Sequence, residues 1–205
     1  MPDVGGRSEL ARTEGRNVDR RSELARTEGR NTLSLADYIR SIPDFPKPGI
    51  VFRDITPLLA SPEGLSASLR ALSELTRDLR PDIVIGAEAR GFLFGPALAH
   101  SLGAGFALAR KPGALPHKTI RHEYALEYGS SVLELHEDAI PHGARVLVHD
   151  DLLATGGTAK ALCSLAEQLG GEVVGCAFLI ELAFLSGRDV LEPHDVHALI
   201  RYEEE

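Results

Sequence analysis

Four stretches of this chain are short, almost unbroken apolar runs: 82–87 (DIVIGA), 105–110 (GFALAR), 145–149 (RVLVH) and 173–182 (VVGCAFLIEL). A strand with one wet face alternates apolar and polar residues, whereas an unbroken run of this length suits a strand covered on both faces. Between the runs lie segments with helical spacing. Pro62 opens one that puts Leu65, Leu69, Leu72, Leu75 and Leu79 on one face. Residues 91–102 form a second, ending at Gly103. Residues 158–169 form a third, with Leu162, Leu165 and Leu169 in register and Gly170 past its end. Alternating strands and helices predict an α/β fold, a mainly parallel twisted sheet with helices on both faces. Ligands of such sheets bind beyond the carboxyl ends of the strands. The residues that follow Ala87, Arg110 and His149 therefore carry the chemistry.

The flanking text is less regular. Residues 33–42 predict a short helix stopped by Pro43, and 44–49 (DFPKPG) a rigid loop before a β-prone stretch at 50–53. Residues 121–135 contain two short β-like runs around the turn at 127–130, and 196–200 reads as an edge strand. The head is different in kind. Residues 7–17 (RSELARTEGRN) recur letter for letter at 21–31. With few apolar residues it cannot bury enough surface to offset its ordering entropy. Residues 1–31 are thus expected to form a disordered or loosely helical extension, and 32–205 the domain.

The net charge of −8 makes non-specific nucleic-acid binding a poor expectation. Any attraction for an anionic ligand must be local. No run of 18 apolar residues exists to span a membrane, and the N-terminal stretch has no signal-like apolar segment. Cys163 and Cys176 read as buried, reduced thiols of a cytoplasmic protein.

The strongest signal is 146–158, VLVHDDLLATGGT. An apolar strand ends in two adjacent carboxylates, Asp150 and Asp151. A loop of small residues, Ala154, Thr155, Gly156, Gly157 and Thr158, then enters a helix. Glycines let backbone approach an anion, successive N–H groups form a nest, and the helix N-terminus adds partial positive charge. Ionised carboxylates accept hydrogen bonds, so the paired hydroxyls of a pentose are natural partners. A phosphate held by amides beside a diol held by carboxylates describes a ribose 5-phosphate site. The segment is not a Walker loop, because GxxxxGK[ST] is missing. His149, just before the acid pair, reads as a strand-end histidine bonded to a neighbour. Glu88-Ala89-Arg90-Gly91 follows another core strand and opens a helix, a second place suited to an anion, with a guanidinium able to bind phosphate bidentately.

The 146–158 segment resembles the signature of the type I phosphoribosyltransferases, and its DDLLATGGT wording is similar to the adenine-using branch. Further segments agree in order: IPDFPKPGIVFRDITPLL at 42–59, GAEARGFLFGPALA at 86–99, ARKPGALP at 109–116 and LEYG at 126–129. The resemblance implies transfer of the phosphoribosyl group of 5-phosphoribosyl 1-pyrophosphate to adenine, with Mg²⁺ bridging substrate oxygens and no protein ligand assigned to it. It implies a hood contributed by about residues 32–60 and a homodimer. In it, Glu88, Ala89 and Arg90 hold the pyrophosphate with Lys111. Phe52 stacks on the base, backbone around Val51 reads its edge, Arg53 lies at the purine and Leu152 covers the other face. Residues 126–129 resemble a mobile loop, with Glu127 as a catalytic carboxylate and Tyr128 bonding the leaving group. One departure is Ala114, where the family often has a second lysine. Two alternatives are a same-fold enzyme for hypoxanthine, xanthine or orotate, and a non-catalytic sensor of the sugar phosphate.

Overall fold

A computed structural model describes residues 34–125 and 130–205. Five strands form its centre: β3 (Ile83–Ala87), β4 (Gly105–Ala109), β7 (Arg145–Leu153), β8 (Glu172–Leu182) and β9 (Val196–Tyr202). They lie in the order β4-β3-β7-β8-β9, and every neighbouring pair is parallel. This is the expected sheet, with 196–202 at its edge.

Successive residues of a strand face opposite ways, and the core divides accordingly. Val84, Leu147 and Leu179 pack with helices α2 (Pro62–Thr76) and α3 (Gly91–Leu102), through Leu72, Phe94 and Leu98. Ile85, Val146, Val148 and Phe178 pack on the other side with α4 (Gly157–Gln168), through Leu162 and Leu165. From β3 the chain leaves through α3 toward β4; from β7 it leaves through α4 toward β8. The carboxyl ends of β3 and β7 are thus neighbours whose connections diverge, the switch point where open α/β sheets bind ligands.

Two antiparallel pairs flank the sheet. β1 (Arg40–Ile42) pairs with β2 (Phe52–Asp54), followed by the short helix α1 (Thr56–Ala60). β5 (Thr119–Ala125) pairs with β6 (Ser130–His136). Arg110 and Glu134 exchange backbone hydrogen bonds of 2.9 and 2.7 Å, which ties β6 to the end of β4.

Two sequence expectations change. The helix expected over 33–42 is only a 3-10 turn at Leu35–Tyr38, because residues 40–42 are drawn into pairing with β2. The leucine face of α2 is not its most buried face. Gly64, Ser68, Leu72, Ser73 and Thr76 face inward, while Leu75 is 39% exposed. Small residues let the helix lie close to the sheet. Two of the hydroxyls are satisfied locally, Ser68 Oγ donating to Gly64 O and Thr76 Oγ1 to Leu72 O, both at 2.8 Å.

Candidate active site

Two adjoining cavities open at the switch point. The first, about 130 Å³, is lined by Arg90, Asp150, Leu152 and the loop from Ala154 through Thr155, Gly156 and Gly157 to Thr158. The second, about 160 Å³, is lined by Glu88, Ala89, Arg90, Lys111, Tyr124, Ser131, Asp150 and Thr158. Arg90, Asp150 and Thr158 wall both.

The loop has the conformation its sequence calls for. Gly156 adopts φ +86° and caps α4, which starts at Gly157. A left-handed turn at this point is open to glycine at no steric cost. Among the described residues, no turn, loop or side-chain acceptor takes the amides of Thr155, Gly156, Gly157 or Thr158. These donors therefore remain available at a helix N-terminus, the arrangement that binds an anion.

The acid pair lies within strand β7 rather than after it. Asp150 is half-buried and Asp151 is 2% exposed. Burial raises the pKa of both. For Asp150 the Asp151 charge adds to the rise, and the Asp151 amide, donating to Asp150 Oδ1 at 2.9 Å, opposes it. For Asp151 the opposing charge is Arg90, whose Nε lies 3.3 Å from Oδ2. Oδ1 of Asp151 is buried without a hydrogen-bond partner. The unmet acceptor at Asp151 Oδ1 is suited to a ligand's hydroxyl.

Gly91 brings the two loops together. A Cβ there would lie 3.2 Å from His149 O and 3.3 Å from Asp150 Oδ1. Its absence lets the start of α3, and with it Arg90, settle against the end of β7. Glu88, in the wall of the second cavity, is also tied to the next strand. Its Oε2 accepts from Arg110 Nε and Nη2 at 3.0 and 2.8 Å, and its Oε1 accepts from the Lys111 amide at 2.6 Å. The Lys111 amide and the Arg110 guanidinium hold this carboxyl below its ordinary pKa. Glu88 thus orients the loop that carries Lys111. Arg110 Nη1 donates to the carbonyl of Ala114 at 3.2 Å, which uses the backbone of the departing position and not its side chain.

The hood residues are not part of either cavity's wall. Val51, Phe52 and Arg53 are half-buried on and beside β2. Phe52 meets Phe45 edge-on, ring centroids 5.2 Å apart. Arg53 turns to Ser41 Oγ, 2.5 Å from Nη1, and lies over the ring of Tyr202. Glu127 and Tyr128 lie outside the described residues. His149 is fully buried. Its Nδ1 is 2.9 Å from Ala177 O, and burial depresses its pKa to about 4, so the ring is neutral and that nitrogen donates.

Sequence reasoning missed Tyr124 and Ser131. They are cross-strand partners in the β5–β6 hairpin, and Tyr124 Oη lies 3.4 Å from Thr158 Oγ1. The period of two in TIRHEYA carries the signal: Ile120 and Tyr124 share a face and pack on the sheet core. The cysteines are free and buried, with sulfurs 3.7 Å apart.

A family model, the phosphoribosyl transferase domain, matches residues 54–198. The adenine phosphoribosyltransferase of Rubrobacter xylanophilus is 61% identical over 165 residues, 80% of this chain and 89% of that protein. The crystal structure of adenine phosphoribosyltransferase from Thermoanaerobacter pseudethanolicus superposes with a TM-score of 0.80 at 48% identity, covering 82% of this chain and 100% of that one. The Saccharomyces cerevisiae enzyme, complexed with an imino-altritol bisphosphate and adenine, gives a TM-score of 0.73 at 40% identity, covering 79% and 94%.

Proposed function

The chain belongs to the phosphoribosyl transferase family, and on that premise we propose that it converts adenine and 5-phosphoribosyl 1-pyrophosphate to AMP and pyrophosphate. One observation carries the reading: two anion-ready cavities share the walls Arg90, Asp150 and Thr158. A pentose with a phosphate at one end and a pyrophosphate at the other fits such a pair.

In this reading the amides of residues 154–158 bind the 5-phosphate, and Asp150 and Asp151 accept from the ribose hydroxyls. Arg90 and Lys111 face the pyrophosphate and stabilise the charge that develops on it as the anomeric bond breaks. Glu88 and Ala89 shape that loop. Phe52 and Leu152 sandwich the base, with the backbone at Val51 reading its edge and Arg53 fixing the hood. Holding the purine nitrogen against the anomeric carbon supplies the proximity contribution. Glu127 is assigned to the base or the developing cation, and Tyr128 to the leaving group. Closure of their loop would exclude water from the cation-like centre.

Mg²⁺ suits this donor set. Among the described residues no group of three His, Cys, Asp or Glu forms a cage. A magnesium ion would take waters and substrate phosphates as its main ligands, and Asp150 and Asp151 are the carboxylates that would attract it. When bound, it supplies charge neutralisation of the leaving pyrophosphate.

The catalytic unit is assigned to residues 32–205, with 32–60 as the hood and 1–31 as a dispensable extension. A homodimer is assigned by analogy with the family; Leu108 and Leu93, each 45% exposed, are apolar residues it could cover. No helix among the described residues is long and apolar enough to cross a membrane. Two buried free thiols suit a reducing cytoplasm.

AMP formation from adenine, phosphoribosyl pyrophosphate and Mg²⁺ is the deciding assay. Rapid use of hypoxanthine, xanthine or orotate without AMP formation would reject adenine. Nucleotide-dependent binding to nucleic acid without turnover would reject catalysis.

A further inference from the structure

Beneath the loop at residues 154–157 lies the turn that opens helix α5 (Gly187–Val190). A Cβ on Gly187 would overlap the Ala154 carbonyl oxygen and come within 3.0 Å of Leu153 Cδ1. A Cβ on Gly156 would come within 2.6 Å of Gly187 O and 3.1 Å of Val190 Cβ. Two stretches of backbone therefore touch with no side chain between them. Packed interiors transmit displacement, so the position of the Gly187 turn is passed directly to the loop.

That turn is clamped by its next residue. Arg188 donates from Nε to Glu181 Oε1 at 3.0 Å, from Nη2 to Oε2 at 2.6 Å, and from Nη1 to Val196 O at 2.6 Å. Glu181 is only 3% exposed, and it is the register partner of Leu153, the residue before the loop. A bracket thus runs from the sheet beside the loop, through a bidentate ion pair, to the loop's underside. Neither Arg188 nor Glu181 lines the two cavities. Glu181 is buried while Arg188 is partly exposed; a bidentate fork of this kind fixes geometry, and that specification accounts for it.

We propose that the Glu181–Arg188 pair is a positioning device that sets the amides of residues 154–158 at the height a 5-phosphate requires. The proposal rests on the assignment of that loop to the 5-phosphate. Its partner ligand is the sugar phosphate end of the substrate, and the pyrophosphate end should not feel it.

The test titrates the full chain calorimetrically with ribose 5-phosphate and, separately, with pyrophosphate. Variants are Glu181→Gln, which keeps the volume, Arg188→Met, which keeps the stem, and Arg188→Lys, which keeps the charge. Ribose 5-phosphate affinity should fall by about ten- to a hundredfold in the first two, the range a misplaced contact costs, with partial recovery in Arg188→Lys. Pyrophosphate affinity should hold within about twofold, and KM for phosphoribosyl pyrophosphate should rise far more than KM for adenine. Should Arg188→Met fail to fold, Glu181→Gln decides. Equal losses for both ligands, or no loss for either in a folded variant, would overturn the positioning role alone. Failure of the unaltered chain to bind ribose 5-phosphate would overturn the loop assignment and this proposal with it.

Discussion

The guanidinium carbon of Arg53 sits 4.0 Å from the centroid of the Tyr202 ring. Arg53 belongs to β2 in the hood, and Tyr202 ends β9 at the sheet edge. The contact is therefore a clasp between the hood and the body of the domain. Tyr202→Leu removes the ring face and should loosen the hood. A cation–π pair of this exposure is worth about 0.5–1 kcal/mol, which corresponds to a rise of roughly two- to fivefold in KM for adenine. Tyr202→Phe keeps the face and should behave as the parent. Steady-state kinetics with adenine varied would check both, and an unchanged KM in the leucine variant would disprove the clasp.

The acid pair should destabilise the ligand-free protein. Burial holds the Asp150 carboxyl above its ordinary pKa, with Asp151 adding to the rise. A raised folded-state pKa contributes stability below the unfolded value near 3.8, and that contribution is lost as pH rises through the folded value. Asp150→Asn removes the loss. Its melting temperature at pH 8 should exceed the parent's by about 2–4 °C for each ~1 kcal/mol relieved, while binding of ribose 5-phosphate collapses. Calorimetric melting that shows the variant less stable at pH 8 would contradict this account.

His149 should make the protein acid-sensitive. Burial depresses its pKa from 6.5 to about 4. Between those values the unfolded chain takes up a proton that the folded chain refuses, so stability falls as pH drops from 6.5 toward 4 and levels off below. The full effect is roughly 3 kcal/mol at 1.4 kcal/mol per pH unit. His149→Leu should flatten denaturation midpoints across that window, and an unaltered slope would show that the ring is not the sensor.

Removal of residues 1–31 should leave kcat and both KM values within about twofold, the expectation for a segment outside the chemistry. A large loss of turnover on truncation would assign the repeated head a part in the active protein.

Much of the fold was legible because doubly covered strands leave an unambiguous trace. DIVIGA and RVLVH read as parallel core strands, and both are. The 146–158 loop was legible because its glycines and helix start are local features. Long-range pairing was not. Nothing within residues 40–42 announces β1, which exists only because Phe52–Asp54 lies opposite. The Leu65–Leu79 stripe misled, since Gly64, Ser68, Ser73 and Thr76 take buried positions, the Ser68 and Thr76 hydroxyls bonding to backbone. The pairing of Glu88 with Arg110, 22 residues away, emerges only from the β3–β4 neighbourhood. Glu181 and Arg188 carry no motif, and their role follows from where β8 lies.

Arg90, Asp150 and Thr158 each wall both cavities. A molecule that spans them is anchored at two points whose local concentrations are fixed by its own covalent frame. Its two ends should together bind more tightly than separate fragments, and cutting the tether between them should let each fragment drift off at its own pace.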